Sequence, residues 1–321
     1  MWTTILVVAM QFTSIETNEP IVIAHRGASG YAVEHTEAAK AMAHAQSADY
    51  IEQDVVLTKD GQFVVTHDIT MEETTNVETC FADRARKDGS FYFADFLWSE
   101  IQQLETHERT RKGSAIPAMP DRFPGSAGQR IVRLVDEIKM IRGWNQTTGK
   151  STGFYIELKA PSFHKEEFVR SMGEDLLRLL EDLKVDNKRC FIQCFEREEL
   201  IDLHERLRCP FPLIQLLGKA PSNDEIEAMA KYANGIGPSL ELIAERDSNK
   251  IVKSTGLVEA AKKYGLMVHP YTVRKHAQPN WSNSLDETLQ FMLDVLRVDG
   301  FFTDYPDLGR SAVAGSQLRQ R

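Results

Sequence analysis

The stretch IVIAHRGASGYAVEHTEAAKAMAHAQSADYIEQDVVLTKDGQFVVTHD, residues 21–68, decides how this chain is read. An apolar run at 21–24 ends in His25-Arg26-Gly27. A helical segment follows, then a second apolar run that carries Glu52 and Asp54. Lys59-Asp60-Gly61 is a hairpin signal, and it leads to His67-Asp68. Residues i and i+2 of a strand leave the same face, so Glu52 and Asp54 aim two carboxylates at one point. Two converging carboxylates grip a hard divalent cation. His25 and His67 are the side chains suited to proton transfer near neutral pH, and Arg26 offers a planar fork of donors for a phosphate. Acids, bases and a guanidinium thus gather at strand ends within one βαβ unit.

In chain order, the elements His25-Arg26-Gly27, Glu34-His35-Thr36, Glu52-x-Asp54 and His67-Asp68 closely resemble the glycerophosphodiester phosphodiesterase family. The resemblance covers about residues 20–309. It implies a metal-dependent hydrolase that cleaves glycerophosphodiesters, such as glycerophosphocholine and glycerophosphoethanolamine, to sn-glycerol 3-phosphate and an alcohol.

Bulk properties set outer limits. A chain of 321 residues with 42% hydrophobic and 26% charged residues has ordinary globular composition and length for an ample core. A net charge of −9 argues against nucleic acid or an anionic membrane surface as a partner, because both select basic proteins. An acidic protein that acts on an anionic phosphodiester must gather positive charge locally, through Arg26, Lys159 and a bound cation.

The apolar run at 5–10 and the polar stretch 13–19 give residues 1–18 two readings: a minimal signal peptide or a disordered N-terminus. No Lys or Arg precedes the run, and no clear A-x-A site follows it. The first reading makes the protein secreted or periplasmic, the second cytoplasmic. The run is too short to span a bilayer, so no stable membrane insertion is expected. Cys80, Cys190, Cys194 and Cys209 are too scattered for a disulfide scaffold. On one strand, Cys190 and Cys194 would have Cα atoms about 13 Å apart, beyond bridging distance. Oligomeric state is left open.

Residues 69–130 carry charge runs, aromatics and turn signals without a clean strand or long apolar helix. A loop of that length is unusual unless it is functional, and it reads as an insertion folded over one end of the core. From residue 131 a regular alternation sets in. Helical spacing marks 131–141, 165–183, 196–207, 222–232, 255–264 and 285–296. Strands are expected at 153–159, 189–195, 211–217, 234–238, 266–272 and 300–303. With the runs at Ile21 and Ile51 there are eight strands separated by helices. That pattern predicts an α/β fold, a (β/α)8 TIM barrel over residues 19–321 with the insertion between strands 2 and 3. The family resemblance implies the same barrel.

Active sites of such barrels lie at the C-terminal ends of the strands. His25, Arg26, Glu52, Asp54, Glu157, Lys159, Gln193, Phe195, His269 and Tyr271 all fall there. By the family's E-x-K motif, Glu157 is implied as a third metal carboxylate and Lys159 as a phosphate contact. Gln193 and Tyr271 resemble substrate-side positions. Where many members read Trp-Thr-Val-Asn, this chain reads Tyr271-Thr272-Val273-Arg274. Thr303-Asp304-Tyr305-Pro306 matches the closing motif and is read as structural. His35, His44, His107, His164, His204 and His276 have no constellation in sequence and are read as ordinary residues, and the polar tail after Gly309 as frayed.

The mechanism expected from these residues has Glu52, Asp54 and Glu157 holding one divalent cation. Oxygen-only ligands disfavour zinc, with Ca²⁺ favoured and Mg²⁺ as the alternative. His25 and His67 act as the general acid–base pair, in an order the sequence leaves open. Two rivals stand beside it: a lyase of the phospholipase C or sphingomyelinase D kind on the same barrel, and a non-catalytic phosphodiester-binding protein.

Overall fold

All eight expected strands form in the computed structural model, which describes residues 19–110, 114, 116–119 and 128–320. They are β1 (Ile21–Ala24), β2 (Tyr50–Leu57), β4 (Gly153–Leu158), β5 (Cys190–Cys194), β6 (Leu213–Leu217), β7 (Gly235–Pro238), β10 (Met267–Val268) and β11 (Gly300–Thr303). A short strand, β3 (Phe63–Val65), pairs antiparallel with β2 across the Lys59-Asp60-Gly61 turn. β8 (Ala244–Arg246) and β9 (Val252–Ser254) form a separate small ribbon that has no counterpart in the sequence reading.

The eight strands run parallel in the order β10-β7-β6-β5-β4-β2-β1-β11. Four backbone hydrogen bonds stitch the remaining seam: Asp299 N to Val268 O, Phe302 N to Pro270 O, Val273 N to Phe302 O and Asp304 N to Val273 O, at 3.1, 2.9, 2.8 and 3.2 Å. This is the TIM barrel that the alternating pattern predicts. Residues alternate along each strand between two cores. Val22, Ile51, Ile156 and Ile192 pack outward against the helices. Ile23, Tyr50, Tyr155, Phe191 and Phe302 fill the barrel interior.

Two readings change. The segment expected as one helix over 165–183 is two, Pro161–Phe168 and Met172–Asp182. Val169 turns left-handed at φ 54° and ends the first, and the Ser171 hydroxyl accepts from Glu174 N at 3.2 Å to start the second. Apolar periodicity runs through that break without registering it. The tail is not frayed: Pro306–Gln320 is a helix, with Val313 buried and Ser316 and Arg319 bonded to Asp294. The described residues of 69–130 form short helical turns and isolated β-bridges, and Met71, Phe91, Phe93, Phe96 and Ile101 build a satellite core with Val56 and Val64 of the hairpin. Residues 1–18, the subject of the leader reading, lie outside the described residues. Among the described residues no helix is long and apolar enough to cross a membrane.

Candidate active site

In-register pairing of parallel strands assembles the site. Glu52 lies beside Tyr155, Asp54 beside Glu157, and Glu157 beside Gln193. Neighbouring strands are about 4.8 Å apart, so carboxylates on adjacent strands and on one face must meet. Oxygens of Glu52, Asp54 and Glu157 lie within 4.8 Å of one another, and all three residues are buried. Beneath them the hydroxyl of Tyr155 lies 2.8 Å from His269 Nδ1, so His269 fills the barrel interior under the site. Above them opens a pocket with about 510 Å³ of free space, its open mouth included, which His25, Arg26, His67, Lys159, Gln193 and Tyr271 help to line.

Each carboxylate is held by a different device. The His25-Arg26-Gly27 turn takes two successive left-handed residues, Arg26 at φ 55° and Gly27 at φ 87°. A Cβ on Gly27 would stand 2.8 Å from the backbone of Ala39, so only glycine fits. The turn points Arg26 N at Glu52 Oε2, 2.8 Å away, while Gln193 Nε2 donates to Glu52 Oε1 at 3.0 Å. Lys159 Nζ donates to Glu157 Oε1 at 2.7 Å. Asp54 Oδ2 lies 2.9 Å from His35 Nε2, and Asp54 Oδ1 is buried with no partner among the described residues.

Electrostatics follow from this crowding. Burial, then repulsion from Asp54 and Glu157, pushes the Glu52 carboxyl well above its usual range. Burial, opposed by Lys159 and aided by Asp54, raises Glu157 to about 8. Burial would raise Asp54 too, but Lys159 and then His35 hold it well below the ordinary value. Three crowded carboxylates, one with an orphaned oxygen, are a hard-oxygen donor set that a divalent cation fits.

The two histidines are mounted alike. His25 Nδ1 lies 2.6 Å from Asp304 Oδ1, and Arg274 Nε donates to Asp304 Oδ2 at 3.1 Å. His67 Nδ1 lies 2.7 Å from Asp68 Oδ1, and Arg109 Nη1 donates to Asp68 Oδ2 at 2.5 Å. Each ring therefore presents Nε2 as the nitrogen left for chemistry; that of His25 lies 4.0 Å from Glu52 Oε2. Burial, then the Arg26 charge, lowers His25 to about 4 against the pull of Asp304. The same two causes lower His67, against its bond to Asp68.

The structure thus gathers His25, Arg26, Glu52, Asp54, His67, Glu157, Lys159, Gln193 and Tyr271 around one pocket. Tyr271 turns its hydroxyl away to donate to Leu217 O at 3.0 Å, and presents its ring. Three residues play larger parts than the sequence suggested. His35 is not an ordinary residue, since it supports Asp54. Asp304 is more than a turn former, since it orients His25. Arg109 sits in the insertion, where no pattern marks it. The placement of His35 inside the Glu34-His35-Thr36 element was the signal available for the first.

A sequence profile of the glycerophosphoryl diester phosphodiesterase family matches residues 25–308. A glycerophosphodiester phosphodiesterase of Haemophilus influenzae is 36% identical over 331 residues, covering 93% of this chain and 91% of that protein. A crystal structure of the glycerophosphodiester phosphodiesterase of Agrobacterium tumefaciens superposes with a TM-score of 0.63 at 25% identity, covering 91% of this chain and 99% of that one. The Oleispira antarctica phosphodiesterase, solved in complex with the product sn-glycerol-3-phosphate, shares the fold with a TM-score of 0.65 at 22% identity, covering 92% and 97%.

Proposed function

Since the chain belongs to the glycerophosphoryl diester phosphodiesterase family, we propose that it hydrolyses glycerophosphodiesters to sn-glycerol 3-phosphate and an alcohol with His25 and His67 as the proton-transfer pair. Glycerophosphocholine and glycerophosphoethanolamine are the substrates named first. The observation that carries the reading is the convergence of two carboxylate-backed imidazoles on a pocket floored by three carboxylates.

Glu52, Asp54 and Glu157 would hold one divalent cation, Ca²⁺ before Mg²⁺, which when bound supplies charge neutralisation for the phosphoryl group. Arg26 and Lys159 add fixed positive charge to the same pocket. Glu34 and Glu157 pin these two cations, so their charge is placed before substrate arrives. One histidine takes, at Nε2, the proton of the attacking oxygen as the new P–O bond forms; that oxygen belongs to water or to the glycerol 2-hydroxyl, and in the second case water then opens the cyclic phosphate to glycerol 3-phosphate. The other gives a proton to the alcohol oxygen as the old P–O bond breaks. Asp304 and Asp68 accept from Nδ1, which leaves Nε2 of the neutral ring free to take a proton and stabilises the imidazolium that gives one up.

The test follows glycerol 3-phosphate release from glycerophosphocholine, before and after chelation and on return of Ca²⁺ or Mg²⁺. Loss with chelator and recovery with either ion supports the reading. Full turnover in metal-free protein overturns the cation, and absence of product under all conditions overturns the hydrolase. A cyclic phosphate as final product would instead mark the lyase rival.

A further inference from the structure

Arg109 is the one guanidinium among the described residues that ties the insertion to both halves of the catalytic pocket. Its Nε and Nη2 donate to Glu34 Oε2 and Oε1 at 3.0 and 2.6 Å, a side-on fork. Its Nη1 donates to Asp68 Oδ2 at 2.5 Å and to Glu73 Oε2 at 3.0 Å. Both fork partners act on the pocket. Glu34 Oε2 also accepts from Arg26 Nη1 at 2.9 Å, and Asp68 Oδ1 faces His67 Nδ1.

The backbone around Arg109 is strapped to the segment just beyond His67-Asp68. Thr110 N donates to Glu73 O at 2.8 Å, and His107 N to Thr74 O at 2.9 Å. The side chain is mostly buried, with 18% of it exposed. A planar guanidinium that satisfies three carboxylates at once is what arginine supplies and lysine does not.

We infer that Arg109 is a positioning residue of the hydrolysis, setting the His67–Asp68 pair and, through Glu34, the Arg26 side chain. The inference rests on the hydrolase reading above and extends it: the insertion is then a structural part of the catalytic centre rather than a cover over it. Without Arg109, the three carboxylates Glu34, Asp68 and Glu73 lose the guanidinium they share, and Glu34 keeps Arg26 while Asp68 keeps His67. Asp68 is then free to turn from His67, and Glu34 to draw Arg26 off the pocket.

The experiment compares the full chain with R109A, R109K and R86A, all with Ca²⁺ and glycerophosphocholine. Arg86 anchors the insertion elsewhere, to Asp95 and Glu167, and touches none of the pocket residues. R109A should lower kcat by about 30-fold and raise KM severalfold, since one substitution disturbs both a proton carrier and a phosphate contact. R109K, which keeps the charge but loses the fork, should still fall about tenfold, and it decides the matter where R109A does not fold. Millimolar guanidinium should restore part of the R109A turnover and none in R86A, whose kcat should stay within about twofold of wild type. The inference fails if folded R109K keeps kcat within about threefold, or if R86A falls as far as R109A. A wild-type chain that releases no glycerol 3-phosphate sinks the hydrolase reading itself, and this positioning role with it.

Discussion

Asp304 Oδ1 lies 2.6 Å from His25 Nδ1, and 279 residues of chain separate the two. The pair exists because β11 closes the barrel against β1, with Ala24 beside Thr303. Each residue follows its strand by one position, so the two share the rim. His25 holds the Asp304 carboxyl down at about 2 despite burial, with help from Arg274. The carboxylate is therefore ionised at any working pH and fixes the proton of His25 on Nδ1. Asp304→Asn keeps the shape but can present N–H to that nitrogen and turn the ring into the wrong tautomer. We expect kcat to fall by about 100-fold or more with the circular dichroism spectrum unchanged. Wild-type turnover in folded D304N would show that the pair has no part in proton transfer.

His35 stands behind Asp54 as Asp304 stands behind His25. Its Nε2 contact to Asp54 Oδ2, at 2.9 Å, is fully buried. Burial, then the charge of Lys40, lowers the His35 ring to about 3, so it is neutral and donates through one nitrogen. Partners of this kind orient metal-bound carboxylates, and their loss costs about 10- to 100-fold in metal affinity. His35→Ala should weaken Ca²⁺ binding by that factor in calorimetric titration, while excess Ca²⁺ recovers most of the turnover. Unchanged affinity would leave His35 a packing residue.

His25→Ala and His67→Ala should each lower kcat by two to four orders of magnitude, roughly 3–5 kcal/mol of barrier. Neither residue is a proposed ligand, so Ca²⁺ binding should survive in both. The double variant should lose less than the sum of the two, since proton donor and acceptor act as a unit. Comparing a glycerophosphoryl p-nitrophenyl ester with glycerophosphocholine assigns the roles. The variant lacking the proton donor should recover most on the activated leaving group, and equal losses on both substrates in both variants would count against the acid–base pair.

These pairs show what sequence can carry and what it cannot. The eight strands were legible because each is a short apolar run bounded by turn residues, and Glu52 and Asp54 because a period of two fixes their common face. The Asp54–Glu157 and Glu157–Gln193 pairings follow from register, which no local pattern encodes. Asp304 looked structural because its partner lies at the other end of the chain. Arg109 was hidden in a segment whose core, around Phe93 and Phe96, has no periodicity to read. Val169, a β-branched residue in a left-handed turn, splits a helix that its neighbours' spacing would continue.

Two buried histidines outside the pocket give a prediction about pH and stability. Burial alone lowers His269 to about 3, and its Nδ1 meets the Tyr155 hydroxyl. Burial lowers His164 to about 4 against the weak pull of Glu167, and neither of its ring nitrogens has a partner among the described residues. Both rings are charged in the unfolded chain below about pH 6.5, whereas the folded protein refuses the proton until pH 4 or 3. The unfolded state therefore binds more protons in that window, and stability must fall as pH falls through it. Above pH 6.5 neither ring costs anything; from 6.5 down to 4 both act, and below 4 only His269. The limit is about 1.4 kcal/mol per pH unit for each ring. His164→Leu suits the ring's stacked neighbour Phe168, 6.0 Å away between centroids, and His269→Gln can keep a bond to Tyr155. Denaturant unfolding at pH 7.5 and 5.5 should show the wild type losing about 1 kcal/mol more than either variant between the two values, and about twice that more than the double variant. Equal losses in all four proteins would mean that these histidines are protonated in the folded state.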